Sequence, residues 1–210
     1  MANIVIIGAS CGIGQELLDQ SYRRGHNVKA MFPIPQRLSV RQEKLRSTIG
    51  NVLDQEALNK AITGHDVVCW TIGTKPTWKP GTAFSEGIEH LLWAMRDANV
   101  GRLICVTGIG AGDSRGHGGF FFDRIVNPLL LKSFFEDKDR QEELIKASDV
   151  DWIIVRPGFL TNGPLTSDYR VITDLSGVRA GKISRADVAH FILENITSRE
   201  YIGKTPLITY

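Results

Sequence analysis

The chain has 210 residues, 42% hydrophobic and 23% charged, with a net charge of +2, which is the balance of an ordinary globular domain long enough to build a full core. So small a charge argues against a dedicated nucleic-acid or membrane-surface binder, which would show clustered Lys and Arg, and no apolar run approaches a membrane span. Cys11, Cys69 and Cys105 lie far apart without a CxxC, and the five histidines include no pair at metal-ligand spacing, so neither disulfide framework nor metal is expected. The first residues show no basic, apolar, cleavable leader, and a reducing cytoplasm is the expected compartment.

Asn3 to Ile7 is a continuous apolar run, the pattern of a strand buried on both faces of a parallel sheet. A glycine-rich turn follows, then a helical pattern from Ile13 to about Arg24, closed by Gly25. Val28 to Phe32 reads as a second strand, ended by Pro33 and Pro35, and Leu45 to Ile49 as a third. Asp54 is placed to cap a helix over Gln55–Ile62. Asp66 to Thr71, Leu103 to Val106 and Trp152 to Val155 read as further strands. Helices are expected at Ser85–Ala98 and within 127–147, with a glycine-rich loop, Gly108–Gly119, between. Beyond Pro157 the pattern is irregular until an amphipathic helix over Arg185–Ile196. Strands alternating with helices at this spacing predict right-handed βαβ units and an α/β, doubly wound parallel sheet of the Rossmann type. No repeat or linker divides residues 1–210, and the segment from about 157 onward is expected to form a small substrate-side region over the carboxyl edge of the sheet.

The turn Gly8-Ala9-Ser10-Cys11-Gly12-Ile13-Gly14 lies between the first predicted strand and helix. There a pyrophosphate can meet backbone N–H groups at a helix N-terminus with no Cβ in the way. NAD-specific sites usually place an acid after the second strand for the ribose hydroxyl. Between Asp19 and Glu43 this chain has none, and it carries Lys29, Arg37 and Arg41. That basic stretch favours a 2′-phosphate, hence NADP(H) over NAD(H).

With these features the sequence resembles the atypical short-chain dehydrogenase/reductase superfamily, and within it the NmrA-like, biliverdin reductase B (flavin reductase)-like NAD(P)-binding family. The resemblance covers nearly the whole chain. It rests on the glycine turn, Gly50-Asn51-Val52-Leu53-Asp54, Ser85-Glu86-Gly87, Arg156-Pro157-Gly158, Gly163-Pro164-Leu165-Thr166 and Ile183-Ser184-Arg185-Ala186-Asp187-Val188-Ala189. It implies that Gly8, Ser10, Cys11, Gly12, Ile13 and Gly14 line the pyrophosphate and that Arg37 meets the 2′-phosphate. Asn51 and Val52 then flank the adenine, Gly73 and Thr74 lie near the adenosine half, and Thr107, Lys138, Pro157 and Phe159 surround the nicotinamide ribose and ring. Cys11, Pro33, Gly108 and Phe159 depart from the residues usual at their positions, the last two from a serine and a histidine of the flavin-reductase branch.

The superfamily's acid/base pair is Tyr-x-x-x-Lys. Lys138 fits the lysine, but Phe134 stands where the tyrosine would. Lys138, and more weakly Thr107, are the candidate catalytic residues. Lys138 also reads as a helix-surface lysine paired with Glu142, and Asp139, Glu142 and Glu143 read as a solvated face. His117 lies in a loop that suits a lid and is a possible proton donor. The apolar stretch Phe120–Phe135 suits core, a pocket wall or a dimer contact. The resulting expectation is an NADP(H)-dependent reductase of a conjugated, quinone- or flavin-like small molecule, acting as monomer or homodimer. The alternatives are a non-catalytic NADP(H)-binding sensor of the NmrA-like type and an isomerase or epimerase of the extended branch.

Overall fold

The apolar run at the start of the chain forms strand β1, Asn3–Ile7, at the centre of the sheet, and its side chains alternate between two cores. Ile4 and Ile6 face one cluster, Val5 and Ile7 the other, as a strand covered on both faces requires. The computed structural model describes residues 1–33, 46–73, 81–120, 123–124 and 131–210. In chain order, β1 is followed by α1 (Gly12–Arg23), β2 (Asn27–Phe32), β3 (Arg46–Ile49), α2 (Gln55–Ile62), β4 (Val67–Trp70), α3 (Ala83–Asp97) and β5 (Arg102–Val106). A short 3-10 turn (Gly112–Ser114), α4 (Lys132–Lys146) and β6 (Asp151–Pro157) come next. The remainder contributes β7 (Phe159–Thr161), β8 (Arg170–Ile172), β9 (Lys182–Ser184), α5 (Arg185–Glu194) and β10 (Leu207–Thr209).

The strands stand in the order β3-β2-β1-β4-β5-β6-β10-β8. All neighbours are parallel except β8, which runs antiparallel to β10. This is the doubly wound sheet, with its order reversing between β1 and β4, where a crevice opens beyond the strand ends. Leu17 of α1 and Val188, Phe191 and Ile192 of α5 pack on one face of the sheet. Leu58 of α2, Leu91 and Met95 of α3 and Ile145 of α4 cover the other.

The expected helix ends hold where the chemistry is local. Gly25 takes φ +74° just past α1, and the Asp54 carboxylate accepts from Ala57 N at 3.1 Å. Three expectations are corrected. The stretch after Pro157 holds four short strands, two of which extend the main sheet while β7 and β9 pair with each other. Each is three residues long, too short to show a period. The last helix is not amphipathic, because seven of its ten residues, Ala186–Ala189 and Phe191–Leu193, are buried. The 108–119 loop is not a free lid. Gly112 N donates to Asp139 at 2.7 Å, Gly110 N donates to the buried Ser114 hydroxyl at 2.9 Å, and Ala180 N donates to His117 O at 2.8 Å.

Candidate functional site

At the end of β1 the chain turns so close to the end of β4 that only glycine fits. Gly8 has φ +96°, and a Cβ there would meet Ile72 N at 2.9 Å. A Cβ on Gly14 would overlap the Gly8 carbonyl oxygen, so α1 begins directly against the turn. Cys11 occupies the N-cap position and makes no side-chain capping bond. By contrast, α2 begins on Asp54 and α5 on Ser184, whose hydroxyl accepts from Asp187 N at 2.9 Å. The first N–H groups of α1 have no carbonyl to bond within the helix, so this end keeps the donors and the partial positive charge that suit a phosphate.

The turn borders a cleft of about 970 Å³ at the β1–β4 switch point. Every described residue expected at the cofactor lines it except Gly14, which is buried beneath: Gly8, Ser10, Cys11, Gly12, Ile13, Asn51, Val52, Gly73, Thr107, Lys138, Pro157 and Phe159. Arg37 and Thr74 lie outside the described residues. The charged side chains among the described lining are Lys138 and Arg185, both cationic. The sequence reading left Arg185 out of the site.

Lys138 is not the solvated, Glu142-paired lysine of the surface reading. It is 3% exposed, and its ammonium lies 4.3 Å from the Phe84 ring centre and 5.3 Å from that of Phe134, a cation–π arrangement. Burial, only partly offset by the Glu142 and Asp137 carboxylates, lowers its pKa to about 8. Asp137 fixes this corner by accepting from Phe84 N at 2.9 Å, Ser85 N at 3.2 Å and Ser85 Oγ at 2.5 Å. It thereby satisfies the N-terminus of α3 from the neighbouring helix. Phe134 rests edge-on against Phe84 at 5.2 Å and Phe135 at 5.4 Å. No phenol stands one turn before the lysine.

Glu142 and Asp139 are also corrected. Glu142 is buried, and it accepts from Thr107 Oγ1 at 2.8 Å, Arg156 Nε at 3.0 Å, Arg156 Nη2 at 2.5 Å and Lys146 Nζ at 3.2 Å. Burial raises its pKa, but the bonds from Arg156 and Thr107 outweigh that and leave it lowered. Asp139 holds Gly112 N and pairs with Arg115, while Glu143 is exposed as expected. Sequence reasoning missed the Arg156–Glu142 pair. The available signal was an arginine inside the apolar strand Ile153–Pro157, which demands a buried acid.

These contacts change the list of proton donors. The Thr107 hydrogen is committed to an ionised carboxylate. His117 does not line the cleft, and its ring lies elsewhere, with Nδ1 2.8 Å from the Val178 carbonyl oxygen. Leu131, Phe134, Phe135, Phe159 and Leu160 give the cleft an apolar wall. Phe120, at the start of the apolar stretch, is 74% exposed and belongs to no core, while 121–122 and 125–130 lie outside the described residues.

A parallel, doubly wound sheet with an uncapped helix behind a glycine turn and a cationic cleft at its switch point defines a Rossmann dinucleotide-binding protein. The profile of the NAD(P)H-binding family matches residues 8–199, and the chain belongs to that family; its cofactor is NAD(P)H. The chain is 25% identical over 202 residues to the uncharacterized sugar epimerase YhfK of Bacillus subtilis, covering 93% of this chain and 88% of that protein. Its fold is shared with ChuY, an anaerobillin reductase of Escherichia coli O157:H7 (TM-score 0.80, 20% identity, 99% of this chain and 96% of that one). It is also shared with a short-chain dehydrogenase/reductase of Veillonella parvula in complex with NADP (TM-score 0.78, 19% identity, 100% and 95%). Among the described residues no helix is long and apolar enough to cross a membrane.

Proposed function

We propose that this protein is an NADP(H)-dependent reductase of a flat, conjugated small molecule of quinone- or flavin-like shape. The observation that carries this reading is Phe134, which stands in the cleft where the superfamily's acid/base tyrosine would be. Reduction of an isolated ketone creates an alkoxide that needs a placed proton donor, and the loss of such a donor costs roughly 10²–10⁴-fold in rate. A conjugated acceptor spreads the arriving charge over its π-system, so its proton can follow from water or from the Lys138 ammonium.

The residues then divide by position. Gly8, Ser10, Cys11, Gly12, Ile13 and Gly14 make room for the pyrophosphate, and Arg37 sets the preference for the 2′-phosphate. Asn51, Val52, Gly73 and Thr74 border the adenosine half. When bound, the nicotinamide supplies a hydride from its C4. Lys138 holds the ribose end, Thr107 accepts from a donor group in the cleft, and Pro157 and Phe159 bound the ring. The apolar wall excludes water and suits an aromatic acceptor. The reductase name of the ChuY neighbour agrees with this reading. The epimerase name of the Bacillus relative implies chemistry for which the missing tyrosine leaves no base of that kind.

The test is a panel of quinones, flavins and enals beside simple ketones and secondary alcohols, with wild type and Phe134→Tyr. Turnover of conjugated acceptors by the wild type supports the proposal. Turnover of a simple ketone with silence on every conjugated acceptor overturns it, and silence throughout with NADPH bound moves the function to a sensor.

A further inference from the structure

We propose that the Arg185 guanidinium holds the dinucleotide's pyrophosphate together with the N-terminus of α1. The inference rests on membership of the NAD(P)H-binding family and is independent of the substrate reading.

Helices α1 and α5 lie side by side on one face of the sheet, joined by Gln20 Nε2 donating to Ala186 O at 2.9 Å and at their far ends by Arg24 and Glu194 at 2.5 Å. The first residue of each helix, Gly12 and Arg185, lines the cleft, and a Cβ built on Gly12 would lie 3.7 Å from Arg185 Nε. The backbone of Arg185 is held on both sides. Ser184 caps Asp187 N at 2.9 Å, and the buried Asp187 carboxylate accepts from Tyr210 Oη at 2.6 Å and from Thr166 N at 2.9 Å.

The side chain itself is far less committed. Its one hydrogen bond to a described residue runs from Nη1 to Asn162 Oδ1 at 2.7 Å, and no described carboxylate pairs with it. A guanidinium carries five N–H donors in a planar fork that fits a phosphate in bidentate fashion. A half-buried arginine of this kind beside orphan helix N–H groups makes an anion site with donors from two elements. The anion that a dinucleotide presents at the glycine turn is its pyrophosphate.

The assignment has a structural consequence. The chain after Pro157 that carries Arg185 also carries Phe159 and Leu160 of the acceptor wall. Cofactor binding through Arg185 therefore ties that wall to the nucleotide.

The test compares NADPH with adenosine 2′-monophosphate, which lacks the pyrophosphate, in titrations of the intact protein and of Arg185→Ala, Arg185→Lys and Asn162→Ala. The expected result is that Arg185→Ala weakens NADPH about tenfold to hundredfold, the scale of a charge-assisted contact, and leaves the monophosphate unchanged. Arg185→Lys should recover part of the loss. In the same samples, NADPH should slow hydrogen exchange across residues 158–187 of the wild type and not of Arg185→Ala. Wild-type NADPH affinity in Arg185→Ala, or an equal loss for both ligands, would overturn the proposal.

Discussion

The Thr107 hydroxyl donates to Glu142 at 2.8 Å, and the carboxylate that receives it is held in turn by the fully buried Arg156 at 3.0 and 2.5 Å. The pair lies directly behind the cleft and sets the polarity of the one hydroxyl at the end of β5. Removing Glu142 strips Arg156 of its buried partner and leaves that buried charge facing the largely exposed Asp113 carboxylate. Glu142→Ala is therefore expected to cost about 3–5 kcal/mol, and the double variant Glu142→Leu with Arg156→Met distinctly less. Denaturant unfolding of the three proteins measures this, and a single variant as stable as wild type would contradict it.

The same pair predicts acid sensitivity. Glu142 titrates below its ordinary value of 4.5, so its contribution is fully present above that pH and is lost as pH falls through the lower folded value. The unfolding midpoint should fall on acidification in wild type, and the fall should be shallower in the double variant. Parallel curves would rule out this origin.

Lys138 gives a slope of the same sign in a separate, alkaline window. Its folded pKa is lowered from 10.5 to about 8, so across that window the unfolded chain binds more protons than the folded one, and stability rises with pH. Lys138→Met should abolish the rise while weakening NADPH. A rise that persists in the variant would show that the lysine is not its source.

Much of this architecture can be read from the residues. Asn3–Ile7, the glycine turn and Asp54 act through local chemistry, in which an apolar run, a missing Cβ and a capping carboxylate each determine their own neighbourhood. Glu142 could not be read that way. It lies in the polar run Glu136–Glu143, and only the tertiary approach of Arg156 turns it from a surface acid into a buried one. Strand β10 is likewise defined by its neighbours β6 and β8, not by a period of its own. Arg185 resembles any first-turn arginine until α5 is seen against α1.

Cofactor preference is expected to reside in the basic stretch after β2. Arg37→Ala should reduce the affinity for NADPH relative to NADH by about tenfold to hundredfold, as loss of a charge-assisted phosphate contact does. Calorimetry with both nucleotides reads the ratio. An unchanged ratio would assign the preference to Arg41 or Lys29.

Cys11 is exposed and lines the cleft at the start of α1. Alkylation of this thiol should slow when NADPH is bound, while Cys69 and Cys105, buried in the sheet with their pKa values raised, should stay unmodified in the native protein. Peptide mapping after timed labelling gives both rates. Equal labelling of Cys11 with and without nucleotide would remove it from the site.

The most direct measurement is a single turnover. Protein saturated with NADPH is mixed with a quinone, and the nicotinamide absorbance is followed beside the same experiment with NADPH deuterated at C4. The account predicts loss of that absorbance faster than in buffer, slowed by deuterium, with no such loss for a simple ketone. Absorbance that persists with every conjugated acceptor, while nicotinamide fluorescence shows the cofactor still bound, would contradict it.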